Sequence, residues 1–424
     1  MTELRAALIT LILSLPLAAC ATAGGASRRD ALPTGATAGD APPSPFYRFD
    51  GASLGAPGTV LRSEPIPVQA DMPHAGEAIR LLYTSRDLRW KSGELPVSGV
   101  LFLPKGTPPA GGWPLVSWGH GTLGISDACA PSWTGYRARD AVYLDKWLEQ
   151  GFAVAASDYQ GLGGPGPHPY HHWQSSGASV LDAARAALAH RRDAISNRVF
   201  LVGQSQGSGA VMGAAIQARA YAPDLDVRGV VASALTSDFP DGPIALPDRQ
   251  SNTLFLEVAA GGLRPGAPSI DALVTPVGAQ LLDAARTGCT RDIAARARKA
   301  GVSDLADAFS VPMDTLKGYR LRLKDMPSAN IGIPVFLASG KADRTTTAHR
   351  QYAGAVALCR GGNRVIWRVY AGLGHDGALH GSFDDAHRFA KALLAGTTPA
   401  PSCTALSDPG EPDALDPTAP FNDD

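Results

Sequence analysis

The chain has 424 residues, of which 45% are hydrophobic and 18% charged, and its formal net charge is -1. That apolar content supplies a sizeable core and excludes a disordered chain. The balanced charge, without a long Lys/Arg cluster, argues against a nucleic-acid partner.

Residues 1–20 read as an export signal. Arg5 gives a thin positive region, and the apolar run Ala6–Ala19 is too short to span a bilayer comfortably. It ends in Leu17-Ala18-Ala19-Cys20, which resembles a lipobox, whose cysteine carries lipid and would anchor the protein to a membrane. Cleavage after Ala21-Thr22-Ala23 is the alternative and would release a soluble protein. Residues 21–45 are rich in Ala, Gly, Pro, Ser and Thr and read as a flexible tether.

From residue 46 onwards, short apolar runs alternate with helical patterns. Strands are expected at Val97–Leu103, Pro114–Trp118, Phe152–Ala156, Val199–Val202, Val227–Ala232, Ile333–Ala338 and Val365–Tyr370. Helices are expected at Tyr136–Gln150, closed by Gly151, at Ser176–Ala194 and at Gln206–Ala220. Such alternation implies an α/β fold with a mostly parallel sheet covered on both faces. Residues 46–238 and 331–405 then form the core. Residues 239–330 break the rhythm with helices at Ile270–Thr287, Arg291–Ala300 and Ser303–Phe309. An insertion there reads as a cap or lid, or else as a packed helical subdomain with no role in access. Residues 406–424 read as a loose acidic tail.

The chemistry centres on Gly203-Gln204-Ser205-Gln206-Gly207, a G-x-S-x-G between an expected strand and an expected helix. In that setting the serine occupies a sharp strand-to-helix turn, and Gly203 and Gly207 leave room for neighbouring backbone. The Gln206 N–H, at the helix N-terminus, is the first expected donor to an oxyanion. A serine needs a base, and the base needs an orienting group. Asp343 and His375 each follow the end of a later strand, which brings both to the sheet edge that carries Ser205, in the order Ser, Asp, His. Asp376 and Asp325 are rival carboxylates and His380 a rival base. Asp376 lies too close to His375 in sequence, Asp325 precedes its strand, and His380 is further from a strand end.

The second oxyanion donor is expected from Ser117-Trp118-Gly119-His120-Gly121-Thr122, with the Thr122 N–H first and Gly121 as fallback. Ser157–Gly163 reads as scaffold or substrate wall. His168, His171 and His172 lack an accompanying carboxylate cluster and read as surface or loop histidines, so no metal is expected. The five cysteines are Cys20, Cys129, Cys289, Cys359 and Cys403. Without Cys20 the remaining four allow three pairings into two disulfides, or they are unpaired core thiols. No C-x-x-C occurs, which argues against a thiolate zinc site.

With these residues in view the chain resembles the secretory lipase family, which includes fungal lipase A and many bacterial lipase-like proteins. Phe46-Tyr47, Pro57–Ser63, Trp118–Thr122, Asp158–Gly163 with His168-Pro169-Tyr170, and Gly203–Gly207 carry the resemblance, which runs from about residue 45 to 405. It implies an α/β-hydrolase fold with a helical cap, hydrolysis of carboxylic esters from short-chain esters to triacylglycerols, and no cofactor. It also implies the pairs Cys129–Cys289 and Cys359–Cys403, the first fastening cap to core. The cap sequence departs from the family pattern, which leaves lipase and small-ester esterase both open. A small-molecule or lipid ester is thus the expected substrate, and no protein partner is expected. An acyltransferase, a peptidase and a catalytically silent binding module on the same fold are the rival readings.

Overall fold

The computed structural model describes residues 32–51, 53–242, 251–263, 269–320 and 323–422. The expected signal, with Cys20, lies outside the described residues. The strands are β1 (Val60–Pro65), β2 (Ala75–Asp87), β3 (Gly93–Pro104), β4 (Trp113–Gly119), β5 (Ala153–Ser157), β6 (Ile195–Gln204), β7 (Val227–Ser233), β8 (Val335–Gly340) and β9 (Val365–Tyr370). They form one sheet in the order β1-β2-β3-β5-β4-β6-β7-β8-β9. The first three strands and the β3–β5 pair are antiparallel, and every pairing from β5–β4 to β9 is parallel.

The helices are α1 (Pro131–Thr134), α2 (Ala138–Glu149), α3 (Trp173–His190), α4 (Gln206–Tyr221), α5 (Ser251–Gly261), α6 (Pro276–Thr287), α7 (Thr290–Lys299), α8 (Lys317–Arg320), α9 (Ala348–Arg360), α10 (Gly377–Gly381) and α11 (Phe383–Leu394). Strands covered on both faces must be apolar throughout, and β4 and β5 are buried at every position. Along β6, Val199 and Leu201 join the apolar cluster of α3 and α4, while Phe200 and Val202 join that of α2 and α11. This is the period-2 alternation of a pleated strand. Truncating the fully buried Phe200 to Ala would cost about 3–5 kcal/mol. In α2 the i,i+4 pairs Tyr143/Trp147 and Leu144/Leu148 are buried, and Gly151 at φ 77° ends the helical run.

Helices α5 to α7, which fall between β7 and β8 in the chain, pack around a separate apolar cluster that includes Phe255, Leu281, Ile293 and Phe309. The single helix expected over Ile270–Thr287 is divided. A short 3₁₀ turn at Ile270–Leu273 precedes α6, which starts at Pro276 with Thr275 accepting from the Gly278 N–H at 3.1 Å. Proline has no N–H to give to a preceding turn, so it opens a helix instead of continuing one. Ser303–Phe309 holds only a 3₁₀ turn, Leu305–Ala308.

The described parts of the two segments expected to be loose, 32–45 and 406–422, make contacts with the rest of the chain. Within the proposed tether, residues 32–45 lie on the core. Ala38 is buried, the Ala41 N–H donates to Asp127 Oδ2 at 2.8 Å, and the Asp127 N–H donates to the Gly39 carbonyl. Residues 406–422 are docked as well. Lys341 Nζ pairs with Asp413 at 2.9 Å, and Phe421 stacks on His380 with ring centroids 4.6 Å apart. Composition read both ends as loose because docking through backbone amides and single side chains leaves no hydrophobic period.

Candidate active site

Ser205 stands between β6 and α4 with φ 54° and ψ -123°. A positive φ is costly for a residue with a Cβ, so the surroundings must hold it. The Ser205 N–H donates to the Ser233 carbonyl at 3.0 Å, and its own carbonyl accepts from the hydroxyls of Ser208 (2.6 Å) and Thr236 (3.1 Å). The two motif glycines permit the turn. A Cβ on Gly207 would overlap the Gly119 carbonyl, and one on Gly203 would overlap the Gly207 carbonyl.

His375 follows β9 on the loop Ala371–Gly374. Its Nδ1 lies 2.9 Å from Asp343 Oδ2. A carboxylate can only accept, so Nδ1 carries the proton and Nε2 is left as the ring's acceptor. Asp343 is fully buried just past β8. Its carboxylate also accepts the N–H groups of Thr345 (2.9 Å) and Thr346 (2.7 Å) and the side-chain amide of Gln351 (3.2 Å). Burial alone would lower the His375 pKa. The charge and hydrogen bond of Asp343 outweigh that and raise it above the usual histidine value.

Ser205 and His375 line one cavity of about 270 Å³, together with Gly121, Thr122, Arg137 and Tyr170. Among the described residues no group accepts the backbone N–H of Gln206, Thr122 or Gly121. Tyr170 and Thr122 are joined through their hydroxyls at 2.9 Å. A wider groove of about 1180 Å³, near Pro57, Arg185 and Tyr221, has no serine or cysteine in its described lining.

The rival residues are engaged elsewhere. Asp376 pairs with Arg139 and accepts from Gln204 at 3.3 Å. His380 Nε2 lies 3.0 Å from the Arg139 carbonyl. Asp158 is fully buried, bonded by Ser98 and by the hydroxyl and N–H of Ser132. Burial holds its pKa up at about 6 despite those donors.

His168, His171 and His172 lie on the loop after β5, as expected, but His168 and His171 are buried and not at the surface. His168 is fully buried, with Nδ1 2.8 Å from the Gln160 carbonyl and Nε2 2.8 Å from the Gln206 side-chain amide. His171, also buried, places Nδ1 2.8 Å from Glu257 on α5. The loop after β5 turns inward, and each imidazole meets a polar partner there. No group of three metal-ligating side chains occurs among the described residues.

Sequence reasoning missed Arg137 and Arg139 in the cavity wall. A signal was present, because both stand at the start of α2, where the helix dipole disfavours cations. The disulfides are Cys129–Cys289 and Cys359–Cys403. The first joins the loop after β4 to the residue preceding α7, across a sequence separation of 160.

A strained serine turn at the end of a central parallel strand, with a carboxylate beyond β8 and its histidine partner beyond β9, is the arrangement of an α/β-hydrolase fold. The family model for secretory lipases matches residues 131–375, more than half of the chain. The chain belongs to the secretory lipase family. It is 24% identical to the secreted triacylglycerol lipase LIP5 of Malassezia globosa over 78% of this chain and 74% of that protein. It is 32% identical over 209 residues to a "probable inactive lipase" of Mycobacterium tuberculosis, covering 46% of this chain and 45% of that relative's length. The structure is similar to closed Candida antarctica lipase A, with a TM-score of 0.66 at 20% identity, covering 89% of this chain and 91% of the other. It is also similar to a point mutant of the rice cell wall degrading esterase LipA of Xanthomonas oryzae, with a TM-score of 0.63 at 19% identity, covering 81% and 100%.

Proposed function

We propose that this lipase-family hydrolase is an exported serine carboxylic ester hydrolase that works through an acyl-enzyme on Ser205. The observation that carries the reading is the His375–Asp343 pair at 2.9 Å, on one cavity with a serine held at φ 54°. Ser205 Oγ attacks the ester carbonyl carbon while His375 Nε2 takes its proton. The oxyanion is bound by the N–H groups of Gln206 and Thr122, with Gly121 as the fallback donor, each worth about 3 kcal/mol. The alcohol leaves with the proton from His375. Water then attacks the acyl-enzyme with the same base and releases the acid. No step calls for a cofactor.

The segment 239–330 serves as a cap over the cavity, fastened by Cys129–Cys289. Export accords with the two disulfides, and Cys20 is the proposed lipid anchor. Among the described residues no helix is long and apolar enough to cross a membrane. One relative bears the description inactive, but the Ser205, Asp343 and His375 set here favours activity.

The test is hydrolysis of p-nitrophenyl esters from acetate to palmitate, run beside Ser205→Ala. Loss of about 10⁶-fold in kcat in the variant supports the mechanism. A rate that fades beyond medium chains marks an esterase, and one sustained to palmitate a lipase. A wild type that cleaves none of them and takes up no serine-directed fluorophosphonate leaves the binding-module reading in its place.

A further inference from the structure

The cavity that Ser205 lines also holds Arg137, a guanidinium with no ion-pair partner among the described residues. Its described lining holds two guanidinium groups, Arg137 and Arg139, against one carboxylate, Asp376. Arg139 is matched twice, by Asp376 and by Asp140 at 2.9 Å. Arg137 instead donates to a neutral hydroxyl, Thr290 Oγ1, at 2.9 Å. Among the described residues no carboxylate lies within ion-pair distance of it.

The surroundings make that charge costly. Burial, and then the neighbouring charge of Arg139, hold the Arg137 pKa below the usual arginine value, with Arg291 adding to the repulsion. Asp140 and Asp376 offset this only in part. Arg137 is also the N-cap residue of α2, at the positive end of the helix dipole. The hydrogen bond to Thr290 does not by itself call for a cation there, and such local conflicts gather at functional sites.

We infer that the ester taken by this cavity carries a carboxylate, which Arg137 binds while Ser205 attacks the ester carbonyl. The inference rests on the hydrolase reading above. A cation without an ion-pair partner matches a negative charge on the substrate, and the planar guanidinium fork matches a carboxylate in shape. The cavity of about 270 Å³ suits a compact ester. The competing account makes Arg137 a strut that holds α7 to the core through Thr290. A strut would affect charged and neutral substrates alike.

The experiment compares kcat/KM for p-nitrophenyl hemiadipate with that for p-nitrophenyl hexanoate, which has the same acyl length and no charge. A second arm places the carboxylate on the alcohol side, comparing O-acetyl glycolate with ethyl acetate. Both arms are run on wild type, on Arg137→Gln, which keeps a donor for Thr290 without the charge, and on Arg137→Lys. In at least one arm the wild type should prefer the charged ester by about 10-fold, as a charge-assisted hydrogen bond supplies. The preference should collapse to near parity in Arg137→Gln and persist in part in Arg137→Lys. Equal or better use of the neutral ester in both arms overturns the inference. So does a uniform loss that leaves the ratio in Arg137→Gln unchanged. Hexanoate hydrolysis by wild type and not by Ser205→Ala tests the hydrolase reading separately, and activity on none of the four esters removes both.

Discussion

Asp343 receives the His375 Nδ1–H at 2.9 Å while two backbone amides and Gln351 hold the same carboxylate still. The imidazole is therefore fixed in ring orientation and in tautomer by a group that solvent does not reach. Asp343→Asn should keep the fold and lower kcat by about 10⁴-fold, since an amide permits the wrong tautomer. Steady-state kinetics with circular dichroism as a folding control would check this.

On the proposed mechanism the same pair sets the pH profile. His375 acts as a base only when neutral, and its pKa is raised because Asp343 outweighs burial. The acidic limb of kcat/KM should then have its midpoint above about 6.5, the ordinary histidine value, with activity lost as pH falls through it. Removing the Asp343 charge leaves burial dominant, so the residual activity of Asp343→Asn should show that midpoint moved to lower pH. An unmoved midpoint would assign the titration to another group.

Asn422 fastens the loop that carries His375. Its Oδ1 accepts the Gly374 N–H at 2.7 Å, and its Nδ2 donates to the Gly372 carbonyl at 2.9 Å. Asn422→Ala should reduce kcat by up to about 10²-fold through misplacement of the base, with KM changed far less. Truncation after residue 406 should do the same. A change confined to KM would mean the tail acts on substrate access.

Cys129–Cys289 closes a sequence separation of 160. On the chain-entropy model such a closure contributes about 5 kcal/mol to stability. The double Cys129→Ser, Cys289→Ser variant should lose stability on that scale, more than the double variant lacking Cys359–Cys403, which closes a separation of 44. Denaturant titrations of both variants give the comparison, and equal losses would contradict the ordering.

Gly207 is expected to tolerate no side chain, because an added Cβ would overlap the Gly119 carbonyl on the neighbouring strand. Gly207→Ala must push the start of α4 away from the end of β4 or distort the turn at Ser205. Thermal unfolding should show a loss of at least about 1–3 kcal/mol, typical of an overpacked core, and ester hydrolysis should fall with it. Gly151→Ala is the control for open space, since nothing lies within 4 Å of its added Cβ, although φ 77° still carries a strain cost.

The parallel strands, the three long helices of the first half, the Ser205 turn and the loop positions of Asp343 and His375 were legible in the amino-acid order. Each depends on a local rule: apolar runs for buried strands, 3.6-residue spacing for helices, glycines around a strained serine. The hairpin β1–β2 and helices α5 and α9 escaped notice because their patterns are weak or mixed, whereas α11 went unread although Phe383, Ala386, Phe389, Ala390 and Leu393 recur at helical spacing. β2 has no steady alternation of buried and exposed residues, and antiparallel pairing at a sheet edge does not demand one. What only the tertiary structure decided is where distant segments meet. It placed the chain end on the His375 loop, turned His168 and His171 inward, and set Arg137 beside Ser205 with Thr290 of α7 as its partner. Those contacts join residues up to 153 positions apart in the case of Arg137 and Thr290. No periodicity encodes such a meeting, because it arises from how packed layers stack and not from the geometry of one element.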